Sequence, residues 1–422
     1  MFRPAGILIL GAVAASAAFG QQGALDPAFA ALPFHEWFQG GAQARIHWSA
    51  RISQPVLSVH QRLVARVEFT IDGAELAKRR GKGSLLLLVE FEDQQGRRWQ
   101  DHDSLDLERM TEGVKGNDIQ YLQTFFATPG DYKASFAIYD SATEEHSVIR
   151  RNFHVGGLHD DPLAGAWENL PAIEFVRSAP TPDSWYLPFI RSRLEIKAAA
   201  KEPVTLDVVV NLTPSERLEG SARVQNRNLA VLIPALKVIS QIQWSNVSVN
   251  VSLLDLAGHK VVYEQSDVKR INWRTARTSL GQTNPGLIDV KALGERDHEA
   301  DFFVGSIRKK AEDAESAHKS HVLIVLSSPV GFEPGQELHP MEAIPHAGLK
   351  TYYIRYQPLL PLTAAELGRM DSRRRMPQRD YGPLVDQLEP LLKPIEPKLF
   401  DVETPEQFRK VLAGILVDIG KM

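Results

Sequence analysis

The hydrophobic pattern changes period once along this chain, near Pro203, and no other feature constrains its fold as strongly. From Gln43 to Val155 the pattern has period two: Leu63, Ala65, Val67, Phe69 and Ile71 interleave with Arg62, Arg66, Glu68, Thr70 and Asp72. Successive side chains of a strand point to opposite faces, so this spacing predicts antiparallel strands with one buried and one wet face. Further runs are Ala44, Ile46 and Trp48; Leu85 to Phe91; and Tyr132, Ala134, Phe136 and Ile138, which follow the turn Pro129-Gly130-Asp131. Another run ends at Phe153 and Val155. Roughly seven strands over about 115 residues, without a helical stretch, predict a sandwich of two sheets. With no cysteine in the chain, disulfides, thiolate metal sites and a cysteine nucleophile are excluded, and packing alone must hold the fold.

Beyond Pro203 strand-like runs alternate with helical ones, which is how a mostly parallel sheet with covering helices is written. Val204 to Val210 is the first strand. A helix follows with Leu229, Leu232, Ile233, Leu236, Ile239 and Ile242 on one face, kinked or started by Pro234. Val247 to Leu254 and Lys260 to Glu264 flank the turn Ala257-Gly258-His259 as a hairpin. Phe302, Phe303 and Ile307 mark a second helix with a charged tail from Arg308 to Lys319. His321 to Leu326 is continuously apolar after its first residue and reads as a strand buried on both faces, and Leu349 to Ile354 as the next. The end is best punctuated. Leu399 to Val402 is a short last strand, then Thr404 as N-cap, Pro405 at the first helical position and Gln407 at the third compose a capping box. The stripe Phe408, Val411, Leu412, Ile415, Leu416 and Ile419 predicts that this helix docks on something large.

The expected organisation is therefore a leader at 1–20, a β-sandwich at 40–156, a connector at 157–203 and an α/β domain at 204–422. Arg3 before the apolar run to Phe19, and Ala18-Phe19-Gly20 at the cleavage positions, have the form of a secretory signal, shorter than the about 20 apolar residues a membrane span needs. The mature chain is then expected to be secreted or periplasmic, with no later span. Pro162, Pro171, Pro180, Pro182, Pro188 and Pro203 make the connector irregular, while Trp167, Trp185, Tyr186 and Phe189 predict that it packs against a domain. A net charge of −4 gives no overall field toward nucleic acid or anionic lipid.

The closing pair PGDYKASFAIYD and SVIRRNFHV resembles the last hairpin of bacterial immunoglobulin-like domains. The later elements resemble the von Willebrand factor A family: VTLDVVVNLTPS, VSVNVSLLDLAGHKVVYEQ, HVLIVLSS, AGLKTYYIRY and LFDVETPEQFRKVLAGIL stand in that order. That resemblance covers about half of the chain and implies a doubly wound sheet with one antiparallel edge strand. It also implies where a metal-ion-dependent adhesion site would fall. Asn211, Thr213 and Ser215 stand where the family has Asp-x-Ser-x-Ser, Thr283 is the third point, and Ser327 and Ser328 follow the fourth strand. Magnesium prefers anionic oxygen ligands in octahedral geometry, and here the motif offers an amide and hydroxyls, so no metal and no cofactor are expected. What remains is a degenerate cleft, or a vestigial polar loop.

Between 357 and 397 the chain inserts a proline-rich stretch containing Arg369, Arg373, Arg374, Arg375 and Arg379, beside Asp371 and Asp380. Arginine's planar donors suit an acidic partner, a phosphate or a lipid head group; a solvated surface is the other reading. Lys78-Arg79-Arg80-Gly81-Lys82 reads as a loop between strands. Asp101-His102-Asp103, Glu144-Glu145-His146, His159-Asp160-Asp161 and Asp297-His298-Glu299 could supply ligands or an acid–base pair. None has His-Glu-x-x-His spacing or a Gly-x-Ser-x-Gly elbow, and the chain has no phosphate-binding glycine loop. The sequence thus leads to a non-catalytic protein-binding molecule. A magnesium- or manganese-dependent adhesion module and a hydrolase using one of the His/Asp clusters are the alternatives.

Overall fold

The computed structural model describes residues 27–40, 46–110, 117–176, 190–213, 221–281, 298–317, 320–332, 338–341, 348–357 and 386–422. The chain divides into two compact units. The first comprises Met1–Pro55, Ala65–Gly157 and Pro171–Phe175; the second comprises Val56–Val64, Leu158–Leu170 and Val176–Met422.

In the first unit, helices α1 (Pro27–Ala30) and α2 (Phe34–Gly40) precede β1 (Trp48–Ile52). Strand β2 (Val56–Leu57) and the first two residues of β3 (Leu63–Ile71) belong to the second unit; the rest of β3, α3 (Gly73–Arg79), β4 (Ser84–Asp93) and β5 (Arg98–Asp106) belong to the first. Strands β6 (Ile119–Ala127), β7 (Gly130–Asp140), β8 (His146–Val155) and β9 (Ile173–Phe175) complete two sheets, ordered β1-β3-β6-β9, with β2 also on β3, and β5-β4-β7-β8. Between the sheets lies an aromatic core. Phe69 meets Phe136 edge-on at 5.9 Å, and Phe91 packs with Phe125 at 4.6 Å and with Phe153 at 5.8 Å. The opposite face of β4 and β7 is apolar too, at Leu86, Leu88 and Ala137, and Phe29, Phe34 and Phe38 cover it. The i, i+3 and i+4 spacing of Phe34, Trp37 and Phe38 is what turns α2 toward that face, and Trp37 stacks on His146 at 4.1 Å.

The basic run expected as a loop is partly helical. Asp72 caps α3 by accepting hydrogen bonds from the Ala74 and Glu75 backbone N–H groups. One turn later the buried Arg79 guanidinium donates to Asp140 at 2.6 Å, Glu145 at 2.6 Å and Glu75 at 2.9 Å. Asp140 and Glu145, distant in sequence, join the neighbouring Glu75 on one cation, which the run Lys78 to Lys82 could not reveal.

The second unit holds a six-stranded sheet ordered β12-β11-β10-β13-β14-β15. Its elements are β10 (Ile196–Asn211), α4 (Ser221–Ile239), β11 (Ile242–Asp255), β12 (Lys260–Gln265) and α5 (Trp273–Gly281). They continue with α6 (Glu299–Ala317), β13 (Ser320–Ser327), β14 (Leu349–Tyr356), α7 (Leu388–Leu392), β15 (Lys398–Val402) and α8 (Pro405–Ile419). Strand β12 is antiparallel to β11, and the other four pairings are parallel. Pro234 lies inside α4, whose Leu232, Ile233 and Leu236 are fully buried; Ile242 belongs to β11. In α8, Phe408, Leu412, Ile415 and Ile419 are buried, each stabilising the docked helix by about 1.5–3 kcal/mol over an exposed position.

The expected fold class, a sandwich followed by a doubly wound α/β domain of the von Willebrand type, is corrected here. Of the described residues, 43% are in strands and 27% in helices, so the described structure is mainly β-sheet. It forms three sheets, and most of its strand pairings are antiparallel. Among the described residues no helix separates β13 from β14. Much of the unforeseen strand lies in β10 and β11, which begin at Ile196 and Ile242 rather than at Val204 and Val247. Residues 200–203 bulge between their two paired stretches, and the bulge hides the continuity from a period-two reading.

Arg79→Met keeps much of the side-chain bulk and removes the charge, leaving Asp140 and Glu75 buried without their cation. Equilibrium urea unfolding of the full chain should show a loss of about 3–5 kcal/mol.

Candidate functional site

The candidate site is built on α8, whose first turn is closed by a capping box. Thr404 Oγ1 accepts from the Gln407 N–H, and Gln407 Oε1 accepts from the Thr404 N–H, closing the expected capping box. Two residues on, Arg409 is buried at 1% exposure. Its Nε donates to Asp161 Oδ1 at 2.5 Å, and its Nη2 donates to Asp161 Oδ2 at 2.8 Å and to the Leu163 carbonyl at 2.7 Å. The guanidinium lies 4.7 Å from the centre of the Trp167 ring. Trp167 Nε1 donates to the Gln61 carbonyl at 2.8 Å, and Gln61 Nε2 donates to the Pro405 carbonyl at 2.9 Å. Thus the three stretches of chain that compose the second unit are tied by one ring of contacts at the start of α8. Burial alone would raise the Asp161 carboxyl. The hydrogen bonds from Arg409 and the Leu163 N–H, with the guanidinium charge, outweigh it and hold the carboxyl below the usual range.

At the C-terminal ends of β10 and β13 the structure brings together four of the residues expected in a degenerate cleft. Asn211 Nδ2 donates to Ser327 Oγ at 2.9 Å, and Asn211 Oδ1 accepts from the Thr213 N–H at 3.0 Å. Thr213 Oγ1 accepts from the Leu256 N–H at 2.6 Å. Ser327 Oγ donates to the Ser328 carbonyl at 2.6 Å, and Ser328 Oγ to the Tyr356 carbonyl at 3.1 Å. All four residues are buried. Their polar atoms serve one another and the adjacent backbone, which is how buried polar groups avoid a desolvation cost. Ser215 and Thr283 lie outside the described residues, as do Arg369, Arg373, Arg374, Arg375 and Arg379.

Among the described residues the His/Asp combinations do not assemble; Asp297 lies outside the described residues, and His298 pairs with Asp301 at 3.7 Å. Asp101 accepts from Gln123 and Asp103 from Tyr121; Glu145 serves Arg79; His146 stacks on Trp37. His159 pairs with Asp160 at 2.8 Å in the open, whereas Asp161 is turned to Arg409. Among the described residues no three His, Asp or Glu side chains gather in a way that could hold a metal ion. The buried carboxylate of Asp207, within β10, faces His321, Asn250 at 3.3 Å and Lys310 at 3.5 Å. Burial works to raise its pKa, and the His321 hydrogen bond with the Lys310 charge brings it below the ordinary carboxylate range. A space of about 10 Å³ between His60, Arg62 and Lys237 is of the size that holds one water. Burial, then Lys237 and Arg62, lower the His60 imidazole to about 3 and keep it neutral.

A larger opening lies beside the exposed side of α8, a groove of about 680 Å³. Ala198, Ala199, Ala413, Gly414 and Val417 contribute to its apolar surface beside Leu163 and Leu416, and Val417 is 57% exposed. Lys197, Lys398 and Lys410 stand around it. Asp160 and Asp418 also reach it, but Asp160 pairs with His159, and Asp418 sits between Lys398 and Lys421, each at 3.3 Å. Lys197 pairs with Glu195 at 2.5 Å. The cationic partner of each pair is exposed, so these pairs are of small energy and an incoming group can exchange with them. Sequence reading missed the groove because its lysines come from β10, β15 and α8, and only the fold collects them. One signal was legible: Gly414 and Val417 fall outside the buried stripe of the last helix.

No known protein family matches this chain, and no characterised protein matches it in sequence. Among the described residues no helix is long and apolar enough to cross a membrane.

Arg409→Met should destabilise the full chain by about 3–5 kcal/mol at neutral pH, because Asp161 keeps its burial and loses its cation. The depressed Asp161 carboxyl contributes stability that is complete above the ordinary carboxylate range and is lost as pH falls through its lowered folded value. Chemical unfolding from pH 7 to pH 3 should therefore show the gap between variant and wild type narrowing in acid. A Cβ at Gly414 would meet nothing within 4 Å, so Gly414→Ala should raise stability by about 0.5–1 kcal/mol in the same assay.

Proposed function

We propose that this chain is a non-catalytic protein-interaction molecule, acting outside the cytoplasm, which offers the groove beside α8 to a protein partner. The observation that carries the reading is the contrast between two regions of the second unit. At the ends of β10 and β13, Asn211, Thr213, Ser327 and Ser328 spend their polar atoms on internal hydrogen bonds. Beside α8, exposed apolar surface lies among lysines on a wall anchored by Arg409. Concave openings with apolar lining and a few convergent charged groups are the usual places where proteins bind other molecules.

The metal-dependent alternative asks more of the structure. Asn211 Oδ1 and Thr213 Oγ1 would have to release their backbone N–H donors before turning to a cation. For the hydrolase alternative, the described members of the His/Asp clusters are engaged separately, on strands and loops that do not converge.

Immobilised full-length protein should capture a partner from the extracytoplasmic fraction of its source cells. Gly414→Leu, which fills the groove without entering the core, should abolish that capture, while Val261→Asp on β12 should leave it intact. Capture unaffected by Gly414→Leu would remove the groove from the proposal. Turnover of an ester, glycoside or peptide that vanishes in His102→Ala would replace the reading with an enzymatic one.

A further inference from the structure

We infer that the groove beside α8 receives an extended peptide segment carrying alternating apolar and acidic side chains, which adds as a strand to the open edge of Ile196–Ala199. This inference rests on the groove being the docking surface. Strand β10 is paired with β11 from Ile196 onward, but β13 joins its other side only at Val204. Among the described residues, therefore, no strand occupies the second edge of Ile196–Ala199. The backbone just before it is capped, where the Glu195 N–H donates to the Ala166 carbonyl at 3.0 Å. Lys197, Ala198 and Ala199 of this stretch line the groove itself.

An unpaired strand edge is a template for another strand, and main-chain hydrogen bonds give such additions their affinity. The side chains of an added strand point alternately to its two faces. One set can rest on Ala413, Gly414 and Val417, where small residues leave room. The other can bring carboxylates toward Lys197, Lys398 and Lys410. Lys410 has no ion pair among the described residues, and the two other lysines, themselves exposed, can turn from their partly buried carboxylates to those of the ligand. A polypeptide satisfies all three demands at once: main-chain donors and acceptors, apolar side chains and acidic ones. A fatty acid lacks the first, and a nucleic acid lacks strand-like donors and acceptors on a backbone of that spacing.

The test is fluorescence anisotropy with the full-length protein and three labelled octapeptides: alternating Leu and Glu, alternating Leu and Lys, and the Leu-Glu peptide with alternate backbone nitrogens methylated. The expected result is saturable binding of the Leu-Glu peptide, weakened about tenfold or more by Lys410→Glu, by Gly414→Leu and by N-methylation, and weaker for the Leu-Lys peptide. Gly414→Leu exchanges glycine for a strong helix former, and its thermal melt establishes that the fold is retained. No binding of the Leu-Glu peptide, equal binding of the Leu-Lys peptide, or indifference to N-methylation overturns the acidic-strand inference. Leu-Glu binding that Gly414→Leu does not weaken places the peptide elsewhere and overturns it also. Capture of a partner that depends on Gly414 in the absence of Leu-Glu binding would leave the docking surface standing and dismiss this class of occupant. Loss of both would dismiss the surface as well.

Discussion

A single guanidinium, that of Arg409, governs the second unit. A buried arginine is tolerable only when its charge is matched and most of its donors are used, and the one stretch from Asp161 to Trp167 meets its Nε and Nη2, while Nη1 has no hydrogen-bond partner among the described residues. Asp161 gives a bidentate carboxylate, Leu163 a carbonyl and Trp167 a ring face, while Trp167 and Gln61 carry the connection on to Pro405. The apolar stripe of α8 supplies most of the energy of docking. Hydrophobic burial has no direction, however, so the stripe cannot by itself set which residues lie along the helix's flank. The ion pair and its hydrogen bonds provide that registration, and the groove inherits its wall from them.

Local signals in the sequence were legible where one segment determines its own structure. The Thr404–Gln407 box, the strand at His321 to Leu326, the hairpin of β11 and β12, and the alternation in β3 depend on spacing within about ten residues, the range over which periodicity speaks. Interactions between distant segments were not legible. Nothing near Arg79 announces Asp140 and Glu145, and nothing near Arg409 announces Asp161. The overall class was misread for a related reason. Recognising strands only where alternation is clean shortened β10 and β11, and matching the order of elements to a known architecture overstated the helical share of the chain.

Among the candidate residues, sequence brought Asn211 and Ser327 to neighbouring strand ends because consecutive apolar strands leave their polar punctuation there. It could not say whether those groups face a ligand or each other. That depends on angstrom-scale geometry: Thr213 turns its hydroxyl to the Leu256 amide instead of outward. The groove had the opposite fate. Its lysines are ordinary surface residues in any linear reading, and their meaning comes from standing together around Gly414 and Val417.

The same ring of contacts bears on how the molecule can be divided. A fragment cut at the change of period near Pro203 would carry α8 and most of the six-stranded sheet, yet it would lose the start of β10 from Ile196 and leave behind Asp161, Trp167 and Gln61. Arg409 would then sit in an apolar setting with its hydrogen bonds stripped away. Expression of the isolated C-terminal half should give insoluble protein unless the stretch around 158–170 is retained, so the practical boundary lies dozens of residues before the compositional one.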